Sequence, residues 1–166
     1  ARDAWASWNY VGGAGPAHAA RVARILGVRE VIIPPASGAA SALGFLAAPL
    51  GVESMRSAPM VLGDDFDVAG CAAVLGALEE DGRAALRAAG VPDDQITVRR
   101  HADMRLLGQM HEIEVPLPDG PITADSRARI AENFAAVYTA RYTHLYTGAV
   151  IEAITWRVTC EGPTPP

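Results

Sequence analysis

The sequence predicts an α/β segment followed by a small α+β domain, and three observations support this fold class. Residues 8–48 alternate between strand-like and alanine-rich helical runs in the order β-α-β-α. Residues 67–160 give the order α-β-β-α-β instead. The stretch 51–66 between them reads as irregular or weakly extended. We therefore expect two domains, residues 1–62 and 63–166.

The first element is a strand, Trp8-Asn9-Tyr10-Val11, that runs into the glycine-rich stretch Gly12-Gly13-Ala14-Gly15. Glycine permits a turn with positive φ and lets a ligand approach the main chain. Pro16 suits the first turn of a helix, where its missing N–H costs nothing. The free N–H groups at that helix start can bind an anion or a polar ligand edge. A tight strand–helix turn without any ligand explains the same residues equally well.

The next three elements complete the α/β segment. A helix over residues 16–26 ends at Gly27, with Ala20, Ala23 and Ile25-Leu26 expected to face a sheet. Val28–Ile33 forms a short strand that Pro34-Pro35 ends, and an almost wholly apolar helix follows to about Ala48. Two strands are too few for a stable sheet, so further strands must come from later in the chain or from a partner.

Two common nucleotide folds do not fit this segment. As a dinucleotide fingerprint, the stretch from Gly13 places His18 where the third glycine belongs. The following strand ends in two prolines and not in the acidic residue that would bind a ribose. No Gly-Lys-Ser/Thr follows the glycines, which excludes a P-loop.

The second domain begins with a long amphipathic helix. Asp67 or a neighbour caps it, Gly90 ends it, and its apolar face carries Val68, Cys71, Leu75, Leu78 and Leu86. Strands follow over residues 96–107 and 110–117, and a second helix starts at 123–125, with the stripe Ile130, Phe134, Val137 and Tyr138. The last strand, residues 150–160, places Ile151, Ala153, Thr155, Arg157 and Thr159 on one face. The recurring Tyr138, Tyr142 and Tyr146 indicate a packing stripe, and Glu79-Glu80-Asp81 a solvated face.

One group of polar residues in this domain could carry chemistry. His101, Asp103 and Arg105 alternate along one strand and therefore share a face, and His111 on the next strand could join them. Two histidines and an aspartate could hold zinc. The interpretation we favour is a salt-bridged polar face, with Asp103 and Arg105 fixing the hairpin. We therefore assign no metal ligand, and no catalytic residue, to this chain.

Composition limits the classes of partner. The net charge is −5 and no run of arginines forms a basic stripe, which argues against nucleic acid. No apolar run approaches membrane-spanning length, and nothing resembles a signal peptide, so we expect a cytoplasmic protein without a membrane partner. The two cysteines, Cys71 and Cys160, are expected to be free.

Several separated blocks resemble the hydantoinase A/5-oxoprolinase family, in the right order through most of the chain. In the first domain they are Gly12–Ala19, Val31–Pro35 and Ser41–Gly44. In the second domain they are Ala102-Asp103-Met104-Arg105, Gly108-Gln109 and Glu112. The resemblance implies that the first domain is the final β-α-β-α of an actin/Hsp70-like (ribonuclease H-like) ATPase lobe, followed by the family's α+β C-terminal domain.

The resemblance also implies a function. In that superfamily a glycine turn after a strand contacts the adenosine of ATP, which points to Gly12, Gly13, Ala14 and Gly15, with His18 beside them. Members use ATP with Mg to activate an amide or ketone oxygen, with a phosphorylated intermediate. The first interpretation is a subunit of a ketone carboxylase of the acetophenone or acetone carboxylase type. The alternatives are part of an ATP-dependent hydantoinase or 5-oxoprolinase, and a structural subunit without ATP contact.

The departure from the family is as informative as the match. No Asp-x-Gly-Thr-type phosphate loop is present in the sequence. We therefore expect either a truncated chain or a small subunit in a hetero-oligomer, in which larger hydantoinase A/B-like subunits complete the nucleotide site. Any zinc in that complex is expected mainly on the other subunits.

Overall fold

A computed structural model describes residues 7–9, 14–33, 35–146 and 148–165. The chain forms two compact units, unit 1 (Ala1–Ala48 with Thr164–Pro166) and unit 2 (Pro49–Pro163). The units divide between Ala48 and Pro49, fourteen residues before the expected boundary after residue 62. The difference arises because the stretch after Pro49 is a strand of the sheet in unit 2.

Unit 1 has the expected β-α-β-α order. Its elements are β1 (Ser7–Asn9), α1 (Gly15–Leu26), β2 (Glu30–Ile32) and, after a 3-10 turn, α2 (Ala40–Ala47). β1 and β2 pair in parallel, with Trp8 opposite Val31. Gly27 ends α1 in the left-handed conformation, with φ +68°, as its position after the last helical residue predicted.

Much of the apolar surface of unit 1 is exposed. Within α1, Ala19 and Ala23 are buried, whereas Ile25 is 74% exposed, and Ala20 and Leu26 are exposed too. Ala23 therefore faces inward as predicted, but Ala20 and Ile25-Leu26 do not. On α2, Phe45 is 84% exposed. The described part of this unit contains two short strands, too few to cover its helices.

Unit 2 is a four-stranded antiparallel sheet with two helices. Its elements are β3 (Gly51–Val61), α3 (Val68–Ala88), β4 (Thr97–Leu106), β5 (Ile113–Pro116), α4 (Ser126–Tyr142) and β6 (Ile151–Glu161). The strand order is β3-β6-β4-β5. The predicted α-β-β-α-β succession is present, preceded by β3. No helix among the described residues is both long and apolar enough to cross a bilayer.

Strand β3 corrects the expectation of an irregular or weakly extended segment over residues 51–66. It pairs with β6, with Val52 opposite Cys160 and Arg56 opposite Trp156. The partner strand β6 lies about a hundred residues later in the chain, so no pattern near β3 predicts the pairing. Because β3 is an edge strand, its side chains are mostly half-buried or exposed. Its sequence therefore lacks the clear alternation of apolar and polar residues that predicts a strand.

The main core lies entirely within unit 2. α3 packs against β3 and β6, and α4 packs against β5. The buried residues of this core, among those described, all fall between Leu62 and Cys160, and Trp156 and Phe134 are the largest of those fully buried. Unit 2 therefore contains a complete sheet and the helices that cover one face of it.

The two long helices follow their sequence patterns. The Asp67 carboxylate caps α3 by accepting a hydrogen bond from the backbone N–H of Gly70 at 2.8 Å. The predicted buried face is confirmed for Cys71, Leu75, Leu78 and Leu86 on α3, and for Ile130, Phe134 and Tyr138 on α4. The prediction of a tyrosine packing stripe is only partly correct, because α4 ends at Tyr142 and Tyr146 is exposed beyond the helix.

A β-bulge splits the predicted face of β6. The register between β4 and β6 shifts between Asp103 and Met104. As a result Ala153 is fully buried in the core, whereas Thr155 and Arg157 lie on the opposite, half-exposed face. The five residues predicted to share one face therefore do not.

Two glycines of α3 give a first prediction, in which the same substitution has opposite effects. A Cβ added at Gly82 would lie 2.8 Å from Cys160 Sγ and 3.2 Å from its Cβ, so the buried strand must shift. We expect Gly82→Ala to destabilise unit 2 by roughly 1–2 kcal/mol, because overpacking exceeds the gain in helix propensity.

Gly76 provides the matched control. A Cβ there meets nothing within 4 Å, so Gly76→Ala should stabilise the helix by about 0.5–1 kcal/mol. Urea denaturation followed by circular dichroism measures both effects. Equal stabilisation by the two substitutions would contradict the close contact between α3 and β6.

Candidate functional site

The start of α1 is the part of the predicted nucleotide loop that the structure describes. Gly12 and Gly13 lie outside the described residues. Ala14 is the exposed N-cap residue, with φ −94° and ψ −15°, and Gly15 is the first helical residue. A helix start at this point is what the glycines and Pro16 predicted.

His18 points away from the packed side of α1. Its side chain is exposed, whereas that of the next residue, Ala19, is fully buried, as is most of Ala23 one turn later. The family resemblance places His18 beside the adenosine of ATP. An exposed His18 side chain does not pack against the described sheet, and its contact with a nucleotide stays a prediction.

The chemistry of this helix start suits a polar or anionic group. Ala14 has no side chain that could cap the helix, and the first turn contains no acidic residue. The first N–H groups of a helix lack intrahelical partners and carry the positive end of the helix dipole. A phosphate, carboxylate or carbonyl oxygen placed there would meet hydrogen-bond donors without a competing carboxylate.

A second set of polar residues, on β4, forms ion pairs. His101, Asp103 and Arg105 share a half-buried face, as their alternation predicted. Asp103 accepts hydrogen bonds from Arg157 Nε at 3.0 Å and Nη2 at 2.8 Å. The hydrogen bond to Asp103 raises the pKa of Arg157 above its usual value. Within the described ranges, no three His, Cys, Asp or Glu side chains are grouped so that they could hold a metal ion.

The partner of Arg105 differs from the predicted one. Arg105 Nε lies 2.8 Å from Glu152 on β6, and Arg105 Nη1 lies 3.7 Å from Glu112, the residue just before β5. Asp103 binds β6 and not Arg105. Arg105 thus ties the hairpin as proposed, whereas Asp103 ties β4 to the neighbouring strand.

The remaining family-like residues also have structural partners. Gly108 has φ +85°, a conformation that favours glycine, and it forms the turn between β4 and β5. The Gln109 side-chain amide donates to the Tyr138 hydroxyl at 2.9 Å, which joins this turn to α4. The second-domain blocks that resemble the family therefore hold unit 2 together.

An ion-pair group around Glu79 was not predicted. Glu79 lies 2.9 Å from Arg83 and 2.6 Å from Arg100, and Arg100 also donates to the Gly120 carbonyl oxygen at 2.7 Å. Burial opposes ionisation of Glu79, but the hydrogen bonds from Arg100 and Arg83 outweigh it and hold the pKa of Glu79 below its usual value. The i, i+4 spacing of Glu79 and Arg83 was a usable signal, whereas the distant Arg100 gave none.

Comparison with known proteins finds a similarity to one protein family. Residues 5–54, which include β1, α1, β2 and α2, match the family described as Hydantoinase/oxoprolinase. The chain is 28% identical over 145 residues to the caprolactamase subunit alpha of Pseudomonas jessenii. The chain is therefore similar to the hydantoinase/oxoprolinase family. The family resemblance of the sequence blocks is thereby confirmed.

Solved structures confirm the predicted fold of the chain. A nucleotide-free structure of acetone carboxylase matches 96% of the chain, with a TM-score of 0.77 and 24% identity. The ATP-dependent caprolactamase from P. jessenii matches the same share, with a TM-score of 0.69 and 26% identity. The predicted class, the end of an actin-like lobe followed by an α+β domain, agrees with these folds.

The chain corresponds to only part of each relative. The alignment with the caprolactamase subunit alpha includes 86% of this chain but only 21% of that subunit. The structural matches include 24% of each of the two solved chains. An uncharacterized protein of Methanocaldococcus jannaschii is 28% identical over 151 residues, again over 21% of its length. The chain thus spans about a fifth to a quarter of the relatives it matches.

Proposed function

We propose that this chain is part of an ATP-dependent enzyme that activates a ketone or amide carbonyl by phosphorylation. The observation that carries the proposal is the unit 1 segment β1–turn–α1–β2, which lies within the residues matched by the family. Both solved relatives are described as ATP-dependent, one in acetone carboxylation and one as a caprolactamase. The activity and substrate of those larger proteins are extended to this chain as part of the proposal.

In this proposal the turn Gly12–Gly15 contacts the adenosine of ATP, and His18 donates to the same nucleotide. The described part of the turn fits a polar ligand, because Ala14 leaves the start of α1 uncapped and no carboxylate lies in its first turn. The Mg²⁺ that accompanies ATP would be held by residues of the larger subunits that complete the site, since the described residues of this chain contain no group of three His, Cys, Asp or Glu side chains that could hold it. Bound ATP would supply the phosphoryl group that activates the carbonyl.

Larger protein surfaces are needed to complete the site. Ile25, Leu43 and Phe45 in unit 1 are all more than half exposed, although each is large and apolar. Apolar residues on both helices of one unit indicate contact with another protein surface. We propose that hydantoinase A/B-like subunits, or the corresponding part of a longer chain, cover them in a hetero-oligomer located in the cytoplasm.

Two reactions fit this nucleotide site. The first choice is a ketone carboxylase of the acetophenone or acetone carboxylase type, which the TM-score of 0.77 to acetone carboxylase supports. The second is ATP-dependent hydrolysis of a cyclic amide, which the 28% identity to caprolactamase subunit alpha supports. ATP consumption by the assembled enzyme distinguishes them, with acetone or acetophenone plus bicarbonate in one arm and caprolactam or 5-oxoproline in the other.

The second prediction tests nucleotide contact at α1. In the assembled enzyme, His18→Ala should raise the KM for ATP about tenfold, because a hydrogen bond to a charged or polar group is worth about 1.5 kcal/mol. Arg21→Ala is the matched control. Arg21 is exposed on the same helix one turn further from its start, and its removal should leave the KM unchanged.

Photolabelling with an azido-adenine ATP analogue provides an independent readout. The label should be recovered on the peptide that contains Gly12–Gly15. An unchanged KM in His18→Ala, together with labelling confined to other peptides, would show that the chain serves a structural role without ATP contact.

A further inference from the structure

Strand β3 has one edge that pairs with no other strand of the described residues. Among the described residues the sheet ends at β3, whose only neighbour is β6. The backbone N–H of Gly162 donates to the Leu50 carbonyl oxygen at 2.8 Å, which sets the alternation along the strand. The backbone N–H and C=O groups of the even-numbered residues from Leu50 to Arg56 therefore point toward β6. Those of the odd-numbered residues point to the open edge; these residues are Gly51, Glu53, Met55 and Ser57.

The side chains along this edge are accessible as well. Glu53, Met55, Arg56 and Ser57 are exposed, and Met55 is exposed by 55%. Met55 lies opposite Arg157, on the face of the sheet away from α3. Exposed strand edges with free backbone groups are templates for pairing with another strand. Pro59 and the irregularity between Ser57 and Met60 block the far end of β3, so the usable edge is Gly51–Ser57.

Charge selects one register for pairing of β3 with a second copy of itself. In an antiparallel pair related by a two-fold axis, the residue on the axis lies opposite its own copy. An axis at Glu53 brings two carboxylates together, and an axis at Arg56 brings two guanidinium groups together; both are unfavourable. An axis at Ser54 places Met55 opposite Glu53, and an axis at Ser57 places Met55 opposite Pro59, which has no N–H.

The axis at Met55 has none of these faults. The two Met55 side chains cover each other, and their outward N–H and C=O groups form a reciprocal hydrogen-bonded pair. Glu53 then lies opposite Ser57, and Arg56 lies opposite Ser54, so no like charges meet. Glu53 is also neutralised within its own sheet by Arg157 at 3.2 Å.

We propose that two copies of this chain associate through antiparallel pairing of β3 with β3, centred on Met55, and form one continuous eight-stranded sheet. This interface lies in unit 2 and goes beyond the proposed nucleotide function, on which it does not depend. It would join two copies of the chain whichever substrate the enzyme uses.

A third prediction tests the register directly in the full chain. With Met55 on the axis, the two Cα atoms lie about 5.5 Å apart, within the range that a disulfide spans. Met55→Cys should therefore give a disulfide-linked dimer under mild oxidation. Ser57→Cys is the matched control, because the two copies of residue 57 would lie roughly 13 Å apart and cannot be bridged.

The native cysteines do not interfere with this experiment. Both Cys71 and Cys160 are buried. Burial, with the nearby Asp67 charge, raises the pKa of Cys71 to about 11, so its thiol is not the reactive form at neutral pH. The unsubstituted chain should therefore give no cross-linked dimer under the same oxidation.

A second variant distinguishes pairing of the two β3 strands from cross-links that form when two chains collide by chance. Met55→Pro removes the outward backbone N–H at the axis. It leaves the hydrogen bonds between β3 and β6 intact, because the backbone N–H of Met55 points away from β6. The loss of two hydrogen bonds should weaken the dimer about 30-fold in sedimentation analysis, with an unchanged circular dichroism spectrum. Equal cross-linking at positions 55 and 57, or a dimer unaffected by Met55→Pro, would overturn the proposal.

Discussion

Replacing Trp156 with alanine is expected to destabilise unit 2 by about 3–5 kcal/mol, the largest effect of any substitution considered in this chain. Trp156 is fully buried at the centre of the sheet, on β6 between β3 and β4. Its indole Nε1 also donates to the Ala58 carbonyl oxygen at 2.8 Å. The substitution therefore opens a large cavity and leaves a carbonyl at the β3 irregularity without its donor.

Trp156→Phe separates these two contributions. It keeps most of the ring volume and loses the hydrogen bond, so we expect a smaller cost, about 1–2 kcal/mol. Urea unfolding of both variants, followed by tryptophan-independent far-ultraviolet circular dichroism, measures the difference. Similar stability of Trp156→Ala and the parent chain would show that β6 is not at the centre of the core.

Replacing Glu79 with glutamine should cost about 1–3 kcal/mol at neutral pH. Glu79 receives charge-assisted hydrogen bonds from Arg83 and Arg100, and its side chain is only 20% exposed. Removing the carboxylate leaves two half-buried guanidinium groups without their shared partner. Glu80→Gln is the matched control, because Glu80 is an exposed neighbour paired with Arg87, and exposed pairs contribute about 0–1 kcal/mol.

The difference in unfolding free energy between the parent chain and Glu79→Gln depends on pH, in a direction set by the lowered pKa of Glu79. The pKa of Glu79 in the folded chain lies below the ordinary carboxyl value of 4.5. The ionised carboxylate therefore contributes its full stability above that value, and the contribution is lost as the pH falls through the folded pKa. The gap in unfolding free energy between the parent chain and Glu79→Gln should be constant from pH 6 to 8 and should narrow in acid. A gap that widens in acid would contradict the ion pairs.

Local patterns predicted the helices of this chain well. The caps and breakers of α3, Asp67 and Gly90, act within a few residues, and its apolar stripe repeats at the helical period. The same holds for α4 up to Tyr142 and for the strand–turn–helix order of unit 1. Helix signals are local, so a single sequence contains nearly all the information that determines them.

Features that depend on distant partners were not predictable in the same way. The assignment of Gly51–Val61 to unit 2 depends on β6, which follows far along the chain. The split face of β6 depends on a register shift opposite Asp103, and the ionic role of Glu79 depends on Arg100. In the candidate nucleotide site, the helix start agrees with expectation, the role of His18 stays a prediction, and Gly12 and Gly13 lie outside the described residues.

The contrast between the two units has a consequence for how the chain reaches its final state. Unit 2 contains the whole main core, whereas unit 1 leaves Ile25 and Phe45 largely in contact with water. By mass action, a surface that binds only folded unit 1 stabilises it in proportion to the logarithm of its concentration. If a partner surface covers unit 1 as proposed, binding of that surface and binding of ATP at the start of α1 would be thermodynamically linked.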